Sequence, residues 1–132
     1  MDELTRHCME LLSPLGLVRS RRMFGGVGLY ADDVFVALIV NDQLYLKTDE
    51  VTRPRFEAAG CEPFRYRKKD GESVSVSYFR PPEEAMESSA LMLPWARLAM
   101  EAALRARNAP VKKRVPAKPA AKAKAKPKTT AR

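Results

Sequence analysis

Gly25, Gly26 and Gly28 fall within four residues, behind Arg21, Arg22 and the pair Met23-Phe24. Glycines beside cations suit phosphate binding, because bare backbone N–H groups close round the oxygens at a helix N-terminus. The spacing argues against it. A dinucleotide fingerprint places its third glycine three after the second and then enters a helix, but position 31 is Ala31 and strand-forming residues follow. A Walker loop needs Gly-Lys-Ser/Thr five positions after its first glycine, and Tyr30 and Ala31 stand there instead. Gly25 suits a turn or bulge into a strand. Gly26 and Gly28, two apart, then share one strand face and leave it bare, so another element can approach closely. A packed helix or an aromatic ring is the expected occupant. The sharper alternative is a partner protein, with Arg21, Arg22, Gly26 and Gly28 as its candidate surface.

Nucleophilic and metal chemistry is thin. His7 is the single histidine, and Cys8 beside it would diverge by about 100° on a helix. Zinc needs three or four convergent ligands, so neither a metal nor another cofactor is expected. Cys61 would need a base to act as a nucleophile, and His7 is the sole histidine candidate. No catalytic residue is assigned. Two distant cysteines without a Cys-x-x-Cys pairing read as buried thiols in a cytoplasmic chain.

The net charge of +8 is unevenly placed. Nine of the 24 basic residues follow residue 108 with no acid among them, leaving 15 against 16 acids before it. The chain thus reads as a domain of net −1 over residues 1–108 and a tail of +9 over residues 109–132. The tail is built almost wholly of Lys, Arg, Ala and Pro, a composition that buries too little apolar surface to fold. Lys122, Lys124 and Lys126 alternate with alanine, while Pro116, Pro119 and Pro127 favour extension. Such a segment binds polyanions through counterion release and reads no base sequence. Lys112, Lys113, Arg114, Lys118, Lys122, Lys124, Lys126 and Lys128 are the candidate nucleic-acid contacts; RNA or an acidic protein are variants of that reading. The plainer alternative is a solubilising terminus. Residues 65–69, Arg-Tyr-Arg-Lys-Lys, form a second basic cluster that suits a solvated hairpin face or a weak accessory patch.

The elements that would position these groups follow from periodicity. Asp2 caps a helix whose Leu4, Cys8, Leu11 and Leu12 share a face, and Ser13-Pro14 ends it. Strands follow through Val27 and Leu29, with a turn at Asp32-Asp33. The run Val34–Val40 suits a central strand buried on both faces. Asn41-Asp42 turns into Gln43–Lys47. A helix starts between Thr48 and Thr52, turns Phe56 and Ala59 inward, and stops at Gly60. Residues 63–68 and 73–79 read as a hairpin, and a last helix from Ser89 to about Arg107 turns Leu91, Trp95, Leu98, Ala102 and Ala103 inward. The class is α+β: an antiparallel sheet of about five to six strands with flanking helices, ordered helix, three or four strands, helix, two strands, helix. No 18-residue apolar run occurs and Met1–Glu10 is charged, so a soluble, cytoplasmic chain without membrane partner is expected, with nucleoid association through the tail.

Residues 21–30, with Leu44-Tyr45-Leu46-Lys47, residues 53–64, Val76–Phe79 and residues 81–103, resemble the N-terminal domain of the TfoX/Sxy competence-regulator family. The resemblance covers residues 3–105; its most specific pieces are Arg22–Gly26, Leu44–Lys47 and Leu93-Pro94-Trp95-Ala96. It implies a small α+β domain and a non-enzymatic role in regulating competence genes together with a transcription regulator such as the cyclic-AMP receptor protein. The chain departs from longer members, which carry a second helical domain where the Lys-Ala-Pro tail stands. Val76 also replaces a methionine common ahead of the Ser-Tyr pair, a core-compatible change. The alternative from another class is a small ligand-binding or enzymatic α+β domain using a groove beside Gly25–Gly28. Neither reading fixes the oligomeric state.

Overall fold

The computed structural model describes residues 2–23 and 25–108. Helix α1 spans Glu3–Leu12 and begins as expected: the Asp2 carboxylate accepts from the Thr5 N–H at 2.8 Å. Thr5, Cys8, Leu11 and Leu12 form its buried stripe. Pro14 turns the chain through a short 3-10 segment, Ser13–Leu15. The Asp32 carboxylate then accepts from the Leu17 N–H at 2.9 Å, fastening the start of the first strand.

Six strands follow: β1 (Val18–Met23), β2 (Gly26–Ala31), β3 (Val34–Val40), β4 (Gln43–Lys47), β5 (Pro63–Lys68) and β6 (Gly71–Phe79). Their order across the sheet is β1-β2-β3-β4-β6-β5, and every neighbouring pair is antiparallel. The expected turns close the first meander. Asp32 and Asp33 have φ of 49° and 65°, and Asn41 and Asp42 have 54° and 60°. Positive φ at both central residues defines the I′ turn, whose twist matches that of the flanking strands.

Helix α2 (Arg53–Ala58) is entered through a reciprocal cap one turn earlier than its first helical residue. The Asp49 carboxylate accepts from the Val51 and Thr52 N–H groups at 3.0 Å, and the Thr52 hydroxyl accepts from the Asp49 N–H at 3.1 Å. Gly60, at φ 79°, ends it: Cys61 N–H donates to Phe56 and Gly60 N–H to Glu57, the paired bonds of a Schellman stop. Phe56 is buried, whereas Ala59 is exposed, because six helical residues present a single inward position.

A 3-10 turn (Glu83–Glu87) leads to α3 (Ser89–Asn108). Its buried residues are Met92, Ala96, Leu98, Ala99, Ala102 and Ala103. Leu91, expected inside, is 47% exposed; the inward stripe runs one residue on and is mostly alanine. Small side chains let α3 lie close to β3 and β4 while α1 packs on β1 and β2. Trp95, half-buried, meets Phe56 with ring centroids 5.1 Å apart, and Phe56 meets Phe79.

All three helices therefore cover one sheet face, the face of Leu29, Ala31, Ala37, Ile39, Leu44 and Leu46. Residues 34–40 differ from expectation in one respect. Val34, Val36, Ala37 and Ile39 are buried, but Phe35, Leu38 and Val40 are only half-buried. A register shift pairs Leu29 with Ala37 and Tyr30 with Phe35, leaving Val36 as an extra residue. The strand looks uniformly apolar because its second face is apolar too, although no helix among the described residues covers it.

Candidate functional site

The glycine hairpin lies at the sheet edge. Arg21 pairs with Gly28, Arg22 with Val27 and Met23 with Gly26. Alternation sends the two arginines to opposite faces. The Arg21 guanidinium lies over the Tyr30 ring, 5.8 Å from its centroid, on the helix-free face. The expected aromatic occupant of the bare strand is present: a Cβ at Gly28 would lie 2.5 Å from the Met23 Cε and 3.0 Å from the Phe35 Cε1. A Cβ at Gly26 would run into the Ile39 carbonyl oxygen, with the Val40 Cγ2 at 3.0 Å. The space beside both glycines is thus filled from within the chain, while Arg21 and Arg22 remain exposed. An open depression of about 470 Å³ borders Arg22, Met23, Gly25, Gly26 and Val27, with Arg22 its only ionisable group among those five.

On the same helix-free face the strands bring together aromatic rings that the sequence scatters. Tyr30 meets Phe35 at 5.3 Å, and Phe35 meets Tyr78 edge-on at 6.3 Å. Tyr45 meets Phe64 at 4.9 Å, and Phe64 stacks on Tyr66 at 5.7 Å with 20° between planes. Two cations are seated on rings: Arg21 on Tyr30, and Lys47 with its Nζ 5.4 Å from the Tyr78 centroid. Arg19, paired with Tyr30, projects beside them. Burial pulls the Lys47 ammonium below its usual pKa, with Asp49 opposing, and burial pushes the Tyr78 phenol up. Among the described residues, Arg19, Arg21 and Lys47 are in no ion pair.

Elsewhere the chemistry is structural. Cys8 is wholly buried, and burial pushes its thiol up to about 12; burial also raises Cys61. Neither is poised as a thiolate. His7 Nε2 donates to the Met86 carbonyl at 2.7 Å, tying α1 to the 3-10 turn before α3. Asp49, besides capping α2, accepts from Arg105 Nε and Nη2 at 2.6 and 3.1 Å. That bidentate bond holds the Asp49 carboxyl at about 2. No cluster of metal-binding side chains occurs among the described residues, and none of their helices is long and apolar enough to cross a membrane. Arg65 and Lys69 of the second basic cluster are exposed. The tail candidates, Lys112 to Lys128, lie outside the described residues.

The aromatic face escaped the sequence reading, although a signal was there. Tyr30, Tyr45 and Tyr78 each sit next to a buried Leu or Phe, at strand positions where a two-layer fold expects polar residues.

The TfoX N-terminal domain family matches residues 10–103. Over 101 residues the chain is 34% identical to "DNA transformation protein TfoX1" of Aliivibrio fischeri, covering 76% of this chain and 48% of that protein. It is 26% identical over 99 residues to "Protein Sxy" of Escherichia coli K12, covering 75% and 47%. The chain spans about half the length of these curated relatives. The match takes in the glycine hairpin, every strand and most of α3, so the chain belongs to the TfoX N-terminal domain family.

Proposed function

We propose that this protein is a non-enzymatic regulatory adaptor of the competence type, in which the folded domain docks a protein and the basic tail holds nucleic acid. The charge division carries the reading: nine uncompensated cations follow residue 108, against a net of −1 before it. A relative named as a DNA transformation protein supports the competence setting, and a transcription regulator such as the cyclic-AMP receptor protein is the protein partner the family suggests. The rival, a ligand-binding or enzymatic groove beside Gly25–Gly28, has less support, because Met23 and Phe35 fill the space over Gly28.

Binding through the tail is non-specific. If about five to eight cations meet duplex phosphates, log K falls against log salt with a slope of roughly −4.5 to −7. Mobility shifts over a salt series, with the full chain and with residues 1–108, test this. The full chain should bind two unrelated duplexes equally, and the shortened chain, which keeps every core residue, should bind neither. Duplex binding retained by residues 1–108, or preference for one duplex, would refute the assignment to the tail.

A further inference from the structure

We propose that the helix-free face of the sheet binds single-stranded nucleic acid, with bases stacking on its aromatic rings and phosphates meeting Arg19, Arg21 and Lys47. The site is separate from the tail and does not depend on the tail's role.

Three observations converge on this occupant. The first is the face's composition. Tyr30, Phe35, Tyr45, Phe64, Tyr66 and Tyr78 reach it from five of the six strands. A sheet bearing aromatics on its uncovered side is the arrangement by which unpaired bases are stacked without regard to their identity. The second is geometry. Phe64 and Tyr66 lie two apart on edge strand β5 with nearly parallel rings, and Tyr66, 40% exposed, ends the stack facing solvent. A base laid on Tyr66 would continue a stack already begun.

The third is charge. The domain as a whole is near neutral, yet three of its cations gather on this face. Register and alternation place Arg19, Arg21 and Lys47 on the helix-free side, and strands β1 to β4 carry no acidic residue. Asp49, the carboxylate whose charge acts on Lys47, is held by Arg105. Such a face repels the chain's own +9 tail and a second copy of itself, and it suits a polyanion. Duplex DNA, with its bases enclosed, would leave the rings unused; an unpaired strand engages rings and cations together.

The test uses the full chain and an oligothymidine of about ten nucleotides carrying 5-iodouracil, within the roughly 4–16 nucleotides such platforms cover. Ultraviolet crosslinks, mapped by mass spectrometry, should fall on peptides containing Tyr66, Phe64 and Tyr30. A duplex of equal length should compete poorly for them. The double variant Tyr66→Ser/Arg21→Gln alters two exposed side chains, and its fold is checked by thermal melting. It should lose roughly five- to a hundred-fold in single-strand affinity, the range of one stacked base, and keep its duplex affinity. Arg97→Gln, on the exposed side of α3, should leave both affinities within about two-fold, as a lone exposed contact does. Crosslinks confined beyond residue 108, or unchanged single-strand affinity in the double variant, would overturn the proposal and leave the face to an acidic protein surface.

Discussion

Gly26 and Gly28 sit two residues apart on one strand face, yet a methyl group should have different consequences at each. Neither has positive φ, so the contrast is one of space and not of backbone conformation. At Gly26 the new Cβ meets the Ile39 carbonyl oxygen, and β3 lies in the sheet interior, where its backbone cannot retreat without disturbing the ladders on either side. Overpacking of that kind costs about 1–3 kcal/mol. Replacing glycine by alanine also restricts the unfolded chain, returning about 0.4–1 kcal/mol. The net loss for Gly26→Ala is therefore about 1–2 kcal/mol. For a domain of this size that lowers Tm by roughly 5–15 °C. At Gly28 the closest atom, at 2.5 Å, is the end of the Met23 thioether, which has other rotamers open to it. Gly28→Ala should stay within about 0.5 kcal/mol of the parent, the unfolded-chain gain offsetting the displacement. Gly28→Val would reach the Phe35 ring, whose Cε1 is already 3.0 Å from the first methyl position, and should cost about 1–3 kcal/mol. Calorimetric melts of the three variants give the order. A Gly26→Ala protein as stable as the parent, or a Gly28→Ala protein weaker than Gly26→Ala, would refute the assignment of these contacts.

Three further outcomes are expected. The Asp49 carboxyl titrates at about 2 in the folded chain against 3.8 ordinarily, so its contribution is complete above pH 4 and lost as pH falls towards 2. The full shift corresponds to about 2.5 kcal/mol, which the 43% exposure of Arg105 reduces to roughly 1 kcal/mol; urea midpoints at neutral and acid pH should fall less in Arg105→Gln than in the parent. Asp42→Gly, at φ 60° in the β3–β4 turn, should raise stability by about 0.5–1 kcal/mol in thermal melts, because glycine is at ease in that conformation. With its thiol buried and raised to about 12, Cys8 should resist alkylation at mildly alkaline pH and react fully in denaturant, while half-buried Cys61 reacts in the folded chain.

The turns were the most legible part of the sequence, because their residues act locally. Asp32-Asp33 and Asn41-Asp42 tolerate positive φ, and Gly60 stops a helix, whatever packs above them. Helical phase was harder to read. Leu91 outweighs Met92 on any hydrophobic scale, but the width of the gap over β3 and β4 selects the stripe bearing Ala96, Ala99 and Ala103. Ala59 failed for a related reason: α2 is too short for a second inward residue. The aromatic face stayed hidden because its rings come from strands up to 48 residues apart, as with Tyr30 and Tyr78, and only the strand order makes them neighbours. The glycine pair was legible in its role, with an aromatic ring foreseen, though not in the identity of Phe35.

The sheet is joined unevenly. β4 and β6 share two residue pairs, Leu46 with Phe79 and Lys47 with Tyr78, whereas β3 and β4 share four. Beyond that seam the β5–β6 hairpin is tied to the rest by the Thr48 hydroxyl and N–H bonds to the Val76 and Ser77 carbonyls, by the Phe79 ring under Phe56, and by the ring contacts of Phe35 with Tyr78 and Tyr45 with Phe64. With only two ladder pairs at the seam, the hairpin should behave as a separate cooperative unit that opens before the four-stranded meander. Amide exchange should sort the protein into two protection classes, the slow one centred on β2, β3 and α3 and the fast one on β5 and β6. Since Phe64 and Tyr66 ride on the fast unit and Tyr30 and Phe35 on the slow one, opening would pull the aromatic face apart along its middle, and any strand bridging the two halves would act as a clasp that slows exchange in the hairpin.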